Sequence, residues 1–153
     1  NSETPDTQVA VYQFPEYTLV FEQMVLGGLG PGGRPHGMLF NGTEGTVIID
    51  GGGWEIIPEP KKNSLEAAKH PESPDPRPAH VRNFLDCMKT RKDPVEHLEL
   101  GHYVSTVAHL GNLALRSGSE IHWDAENERV KDNREANRLV ECDYRKPWKL
   151  PYT

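Results

Sequence analysis

Cysteine is nearly absent from this chain, with two in 153 residues, Cys87 and Cys142. Neither has the C-x-x-C spacing of a redox or zinc site. Two thiols on separate predicted helices read as free, buried side chains rather than as a disulfide framework. Hydrophobic residues are also sparse, at 35%, and the mean hydropathy is −0.68. No run of 18 apolar residues occurs, which argues against a membrane-spanning helix, and no segment has the pattern of a signal peptide. Bases are outnumbered, 17 Lys and Arg against 23 Asp and Glu, for a net charge of −6. They are scattered among acids rather than clustered, which argues against nucleic acid as a partner. The length suffices for one domain with a modest core. So polar a composition implies a domain that is small, loop-rich or cut from something larger. The first residue is Asn1, not Met, as expected of a piece of a longer protein.

What is present is organised as strands first and helices later. Val9 and Val11 alternate with Ala10, Tyr12 and Phe14; Pro15-Glu16 makes a turn, and TLVFEQMVL follows. That pattern predicts an antiparallel hairpin over residues 8–26. GGLGPGGRPHG, residues 27–37, is a loop. Met38–Phe40 and Thr46–Ile49 are predicted strands joined by a turn at Asn41-Gly42 or Glu44-Gly45. Gly51–Gly53 turns the chain sharply before another short strand, Trp54–Ile57. Prolines at 58, 60, 71, 74, 76 and 78 make residues 58–78 a polar surface linker, with room for only a brief helix at Ser64–Lys69.

Helical periodicity begins at Ala79. Val81, Phe84, Leu85 and Met88 fall at i, i+3, i+4 and i+7, basic residues suit the C-terminus, and Asp93-Pro94 marks the end. A second helix runs from about Glu99 to Arg116 and stops at Ser117-Gly118, with glycine in the left-handed cap position. Ile121–Trp123 is a predicted strand. Asp132 then caps a last helix, with Glu135 completing a capping box. Strands followed by helices place the chain in the α+β class, as an open, mostly antiparallel sheet with helices on one side. The organisation is a single domain over 1–153: a sheet region 1–57, the proline-rich linker 58–78, and a helical part 79–153.

Motifs that carry chemistry are weak. Gly28-Leu29-Gly30-Pro31-Gly32-Gly33 fits G-x-G-x-x-G, and Asp50 lies about twenty residues on. A dinucleotide site, however, needs a helix opening at the third glycine so that its N–H groups meet the pyrophosphate. Arg34-Pro35-His36-Gly37 leads instead into a strand, so a hairpin loop is the preferred reading. Seven histidines include no H-E-x-x-H and no i, i+4 pair, so no metal site is assigned. Ser105 and His109 lie one turn apart, but a nucleophilic serine sits on a strained elbow rather than mid-helix. Asp124, Glu126 and Glu128 read as a solvated acidic turn.

The segments HVRNFLDCMKTRKDP, GHYVSTVAHLGNLALRSG, IHWDAENERV and DNREANRLVECDYRKPW resemble the C-terminal region of the glucose–fructose oxidoreductase / inositol dehydrogenase (Gfo/Idh/MocA) family, in a bacterial subgroup. GMLFNGTEGTVIID is similar to that family's strand–turn–strand. The resemblance implies a parent protein with an N-terminal Rossmann domain binding NAD or NADP, a sugar or cyclitol substrate, and a C-terminal α+β domain that lines the substrate pocket and forms a homo-oligomer through its sheet. The family's E-K-P lysine and its Asp/His pair precede the matched region; Glu59-Pro60-Lys61 has a different order. The resemblance therefore implies no catalytic residue and no cofactor-binding residue within this chain. Arg34 and His36 in the glycine-rich loop, and His102 and Tyr103 near a helix start, are the candidates for reaching a sugar. The alternatives are a stand-alone carbohydrate-binding or interaction module, or part of an NAD-dependent glycoside-cleaving enzyme. The parent's location, bacterial cytoplasm or periplasm, stays open.

Overall fold

The structure, a computed structural model, describes residues 5–62, 64–71, 74–141 and 144–149. The chain divides into two compact units, Asn1–Val95 and Glu96–Thr153. The α+β class holds, with antiparallel pairing throughout the described strands. The strands form three sheets rather than one.

In the first unit, β1 (Thr7–Gln13) and β2 (Thr18–Met24) form a hairpin. Its register sets Val11 opposite Val20, with Val9 on the same face, while Ala10–Phe21 and Tyr12–Leu19 pairs occupy the other. Both faces carry apolar residues, but Val9, Val11 and Val20 are exposed on the face that also holds Glu22, opposite Val9. A four-stranded sheet follows in chain order: β3 (Met38–Asn41), β4 (Gly45–Asp50), β5 (Gly53–Pro58) and β6 (Ala68–Pro71). Strand alternation gives this sheet two unlike faces. One carries Met38, Phe40, Val47, Ile49, Trp54, Ile56 and His70, with Trp54 stacked on its cross-strand partner His70 at 6.0 Å between ring centroids. The other carries the buried Ile48 together with Asp50, Glu55 and Lys69.

β6 corrects the expectation of a helix at Ser64–Lys69. Six residues are too few to repay helix nucleation, and the open edge of β5 offers ladder bonds from Ala68 onward. The unit closes with α1 (Arg77–Thr90), begun by Asp75, whose carboxylate accepts the Arg77 N–H at 3.0 Å. The helix ends on Arg91 in the left-handed conformation, φ 58°, before the expected Asp93-Pro94 stop. Its predicted stripe of Val81, Phe84, Leu85 and Met88 is exposed. Cys87 is free, but half-buried rather than buried. Cys142 lies outside the described residues.

The second unit is built on α2 (Leu98–Ser117), capped by the His97 ring at its start and by Gly118, φ 62°, at its end. β7 (Trp123–Asp124) and β8 (Arg129–Val130) make a two-residue ladder, shifted from the strand expected at Ile121–Trp123. α3 (Arg134–Asn137) is a single turn. Its cap is Asn133, not Asp132: Asn133 is extended and accepts the Ala136 N–H at 2.9 Å. Asp132, at φ 53°, is left-handed and so cannot take the extended shape that a cap requires. The core joins Leu113, Val130 and Ala136, with Leu110, Ile121 and Trp123 packed against it.

Candidate functional site

Two polar clusters hold the four candidate residues, one in each unit. The first is centred on Arg34. The loop folds back so that Gly30 N–H donates to the Arg34 carbonyl at 2.6 Å and Gly33 N–H to the Gly30 carbonyl at 3.1 Å. The guanidinium then spans two carboxylates of the sheet: Nη1 donates to Asp50 Oδ2 at 2.9 Å and Nη2 to Glu55 Oε2 at 2.7 Å. Arg34 and Asp50 are mostly covered, with side-chain exposures of 17% and 15%. Lys69 is directly opposite Glu55 on β6, with Nζ 3.8 Å from the same Oε2 and 65% of its side chain exposed.

Asp50 closes the tight β4–β5 turn. Its Oδ1 accepts the Gly52 N–H at 2.7 Å. That bond, reinforced by the Arg34 hydrogen bond and by the charges of Arg34 and His36, holds the carboxyl below the ordinary aspartate range. Gly53, paired with Asp50, is buried at φ 129°, where a side chain is rarely tolerated. The result is an open depression of about 260 Å³ lined by Arg34, Asp50, Gly52, Gly53, Trp54, Lys69 and His70. By strand alternation Trp54 and His70 turn their rings to the opposite face and border the depression with backbone. The cluster pairs two cations with two carboxylates, of which Asp50 but not Glu55 lines the depression.

The second cluster lies on the first turns of α2. His102 Nε2 and Glu128 Oε1 are 2.6 Å apart, and Tyr103 donates its hydroxyl to Glu99 Oε1 at 3.1 Å. The Glu99 hydrogen bond and its charge, with a smaller contribution from Glu128, raise the tyrosine pKa, so Tyr103 stays a neutral donor at pH 7. Glu128 is left-handed, φ 48°, in a β7–β8 turn braced by Asp124, which accepts from both Asn127 N–H groups, backbone at 3.2 Å and side chain at 3.0 Å. Arg34 and His36 are thus brought together, as are His102 and Tyr103.

A family model described as "Oxidoreductase family, C-terminal alpha/beta domain", of the Gfo/Idh/MocA oxidoreductases, matches residues 41–150. The chain belongs to this family. No curated protein and no solved structure matches it.

As a Gfo/Idh/MocA C-terminal domain, the chain has partner residues that the sequence did not single out. Asp50 drew notice only as the acidic residue twenty positions after the glycine loop, where a ribose would bind it; its actual partner is the arginine inside that loop. Glu55 and Lys69 carried no motif at all. Glu128 was grouped with an acidic turn, and only the left-handed backbone turns it toward His102. The glycine loop does not suit a dinucleotide pyrophosphate: Pro31–Gly33 form one 3-10 turn and β3 follows, so no helix N-terminus faces the glycines. Among the described residues, no three His, Cys, Asp or Glu side chains group as a metal site requires, and no helix is long and apolar enough to cross a membrane.

The lowered carboxyls have a consequence for acid stability. Asp50 is joined by Glu44, which Lys62 at 2.7 Å, Ser64 and Thr43 hold down by hydrogen bonds. A carboxyl lowered by folding stabilises the folded state above its unfolded pKa and loses that effect as pH falls through the folded value. Denaturant melts of this family member should therefore show near-constant stability from neutral pH down to about pH 5 and a decline below about pH 4. Asp50→Asn should make that decline shallower. Equal slopes for variant and wild type between pH 2 and 5 would remove Asp50 from the account.

Proposed function

We propose that this domain forms the substrate wall and assembly surface of an NAD(P)-dependent oxidoreductase acting on a sugar or cyclitol. The family match over residues 41–150 carries the reading. In it the nicotinamide nucleotide is held by a separate Rossmann domain, and the lysine acid–base of the reaction comes from outside this chain. Arg34 and His36 in the first unit, and separately His102 and Tyr103 in the second, are the polar groups on offer to a polyhydroxylated substrate. The arrangement supports such a role because hydroxyl-rich ligands are recognised by a few oriented polar groups on a firm support. Arg34 is fixed by two carboxylates and Tyr103 by Glu99, which leaves little rotamer freedom to lose on binding. The apolar sheet face with exposed Met38, Phe40 and Trp54 is the surface through which a homo-oligomer would form, since such patches mark interaction sites.

The test is turnover by the whole protein that contains this domain. It is offered NAD or NADP with a panel of hexoses, hexosides and cyclitols, and reduced nicotinamide is followed by absorbance. One or more polyols should be oxidised, and Arg34→Met should raise KM about tenfold or more with a smaller change in kcat. Saturable glycan binding without any hydride transfer would replace this reading with a carbohydrate-binding module. Glycoside cleavage without net reduction of the nucleotide would assign NAD-dependent glycosidase chemistry instead.

A further inference from the structure

The depression beside Arg34 is better supplied with donors than with acceptors. Its charged side chains are Arg34, Lys69 and Asp50. Asp50 is engaged on both oxygens: Oδ1 accepts the Gly52 N–H at 2.7 Å and Oδ2 accepts from Arg34 at 2.9 Å. Arg34 is engaged only in part. Nη1 and Nη2 each make one hydrogen bond, to Asp50 and to Glu55, and a guanidinium holds further donors, Nε–H among them. That Nε has no partner among the described residues, where no buried side-chain nitrogen lacks one, so it is open to solvent. Lys69 is freer still. Pairing of β6 with the edge of β5 sets it opposite Glu55, but its Nζ is 3.8 Å from Glu55 Oε2. That is beyond hydrogen-bond range, and Arg34 already donates to the same oxygen. With 65% of its side chain exposed, Lys69 lines the depression as an accessible point charge. A further basic group stands at the same turn: His36 Nε2 is 3.4 Å from where a β-carbon on Gly51 would be.

We propose that this depression takes the carboxylate of a sugar acid, with Lys69 donating to the carboxylate and Arg34 adding its positive field. The unused donors set what the ligand must offer, which is acceptors. A carboxylate accepts from an ammonium with the strength of a charge-assisted bond, about twice that of a neutral one. The lining sets the charge: two cations face one carboxylate, so one negative charge on the ligand completes the balance. A second negative charge does not fit. Glu55, although outside the lining, lies just behind Arg34, and a phosphate dianion would meet the repulsion of Asp50 and Glu55 together. The volume, about 260 Å³, is at the low end for ligand pockets, roughly 300 Å³ upward, which suits one ring with its carboxylate rather than a longer glycan. The inference rests on the substrate-wall reading above and adds the ionised group by which the substrate is chosen.

The experiment is calorimetric binding to the whole protein that contains this domain. The probes are the methyl glycosides of glucuronate and galacturonate, each beside its neutral counterpart, the methyl glucoside and galactoside. Each pair differs only in a carboxylate against a hydroxymethyl group. Glucose 6-phosphate is the dianion. Wild type should bind at least one uronide about tenfold more tightly than its neutral counterpart, the value of one charged hydrogen bond. Added salt should narrow that ratio. Lys69→Met should weaken uronide binding about tenfold and leave the neutral glycoside within about twofold. The neutral glycoside thus reports that the variant is folded. Lys69→Arg keeps the charge and should recover part of the loss. Neutral glycosides bound as tightly as the uronides by wild type would overturn the carboxylate assignment and leave the function proposed for the domain standing. The same ratio in wild type and Lys69→Met would also overturn it alone. Glucose 6-phosphate bound more tightly than either uronide would replace the carboxylate with a phosphate. Absence of binding by every probe, with no turnover of any polyol, would overturn this inference together with the proposed function.

Discussion

Asn137→Ala is expected to destabilise the Glu96–Thr153 unit by about 2–4 kcal/mol, the sum of two buried backbone groups losing their partner. The Asn137 amide stands where a third strand would stand. Its Oδ1 accepts the Val130 N–H at 2.8 Å, its Nδ2 donates to the Val130 carbonyl at 2.7 Å, and the same Nδ2 reaches the Asn133 carbonyl at 3.0 Å. Val130 is 2% exposed, so water cannot readily replace those bonds. Asn133 extends the network by capping Ala136 and by donating to Ser119 Oγ at 3.0 Å. Asn137→Asp keeps the acceptor but sets a carboxylate oxygen against the Val130 and Asn133 carbonyls, so its cost should be at least that of alanine. Urea unfolding followed by fluorescence of Trp123, which packs on the Leu113–Val130–Ala136 core, measures this directly. A loss under about 0.5 kcal/mol for alanine, the range of an ordinary surface change, would mean that the amide bonds are dispensable.

Gly45→Ala should have a comparable effect in the other unit, about 2–4 kcal/mol. A β-carbon on Gly45 would sit 2.5 Å from the Ile57 carbonyl oxygen and 3.0 Å from Pro58 Cα. Both are backbone atoms of the partner strand, across from Gly45 in the β4–β5 register, so no side chain can swing aside. Relief requires the strands to part where Gly42 N–H donates to the Gly45 carbonyl at 2.9 Å and Glu59 N–H to the Glu44 carbonyl at 2.9 Å. Gly28→Ala is the natural control, because nothing lies within 4 Å of its added carbon. Thermal melts of the two variants should separate clearly. Overlapping melts would show that the sheet absorbs the extra atom by a shift it makes at little cost.

Legibility from sequence followed the range of the interactions involved. The β1–β2 hairpin, the β3–β4–β5 meander and α2 were readable, because alternation, turn residues and helical periodicity act within a few residues. β6 was not: its strand state comes from β5 alongside, and the local letters of Ser64–Lys69 favour a helix. The cap of α3 was misplaced by one residue, because Asp132 and Asn133 are equally good caps on paper and only the left-handed backbone at Asp132 separates them. Among site residues, Arg34 stood out as the lone charge in a glycine-rich loop, and His102 with Tyr103 as polar residues near a helix start. Their partners Asp50, Glu55 and Glu128 are 16, 21 and 26 residues away from the side chains they meet, and no spacing rule reaches that far.

The β1–β2 hairpin carries a different lesson. In most two-stranded ribbons one face prefers protein and the other water, and that difference forbids a one-residue slip, which would exchange the faces. Here both faces carry apolar residues, but Ala10, Tyr12 and Leu19 are half-buried while the Val9, Val11 and Val20 face, which also holds Glu22, is exposed, so a slip still exchanges unlike faces. The turn adds to that alignment. Phe14 N–H donates to the Tyr17 carbonyl at 3.0 Å, and the two rings stack at 4.5 Å with 15° between planes, clamping the chain across Pro15-Glu16. One residue inserted beside Pro15 would re-index every pair from Gln13↔Thr18 to Thr7↔Met24 and so turn the half-buried residues outward.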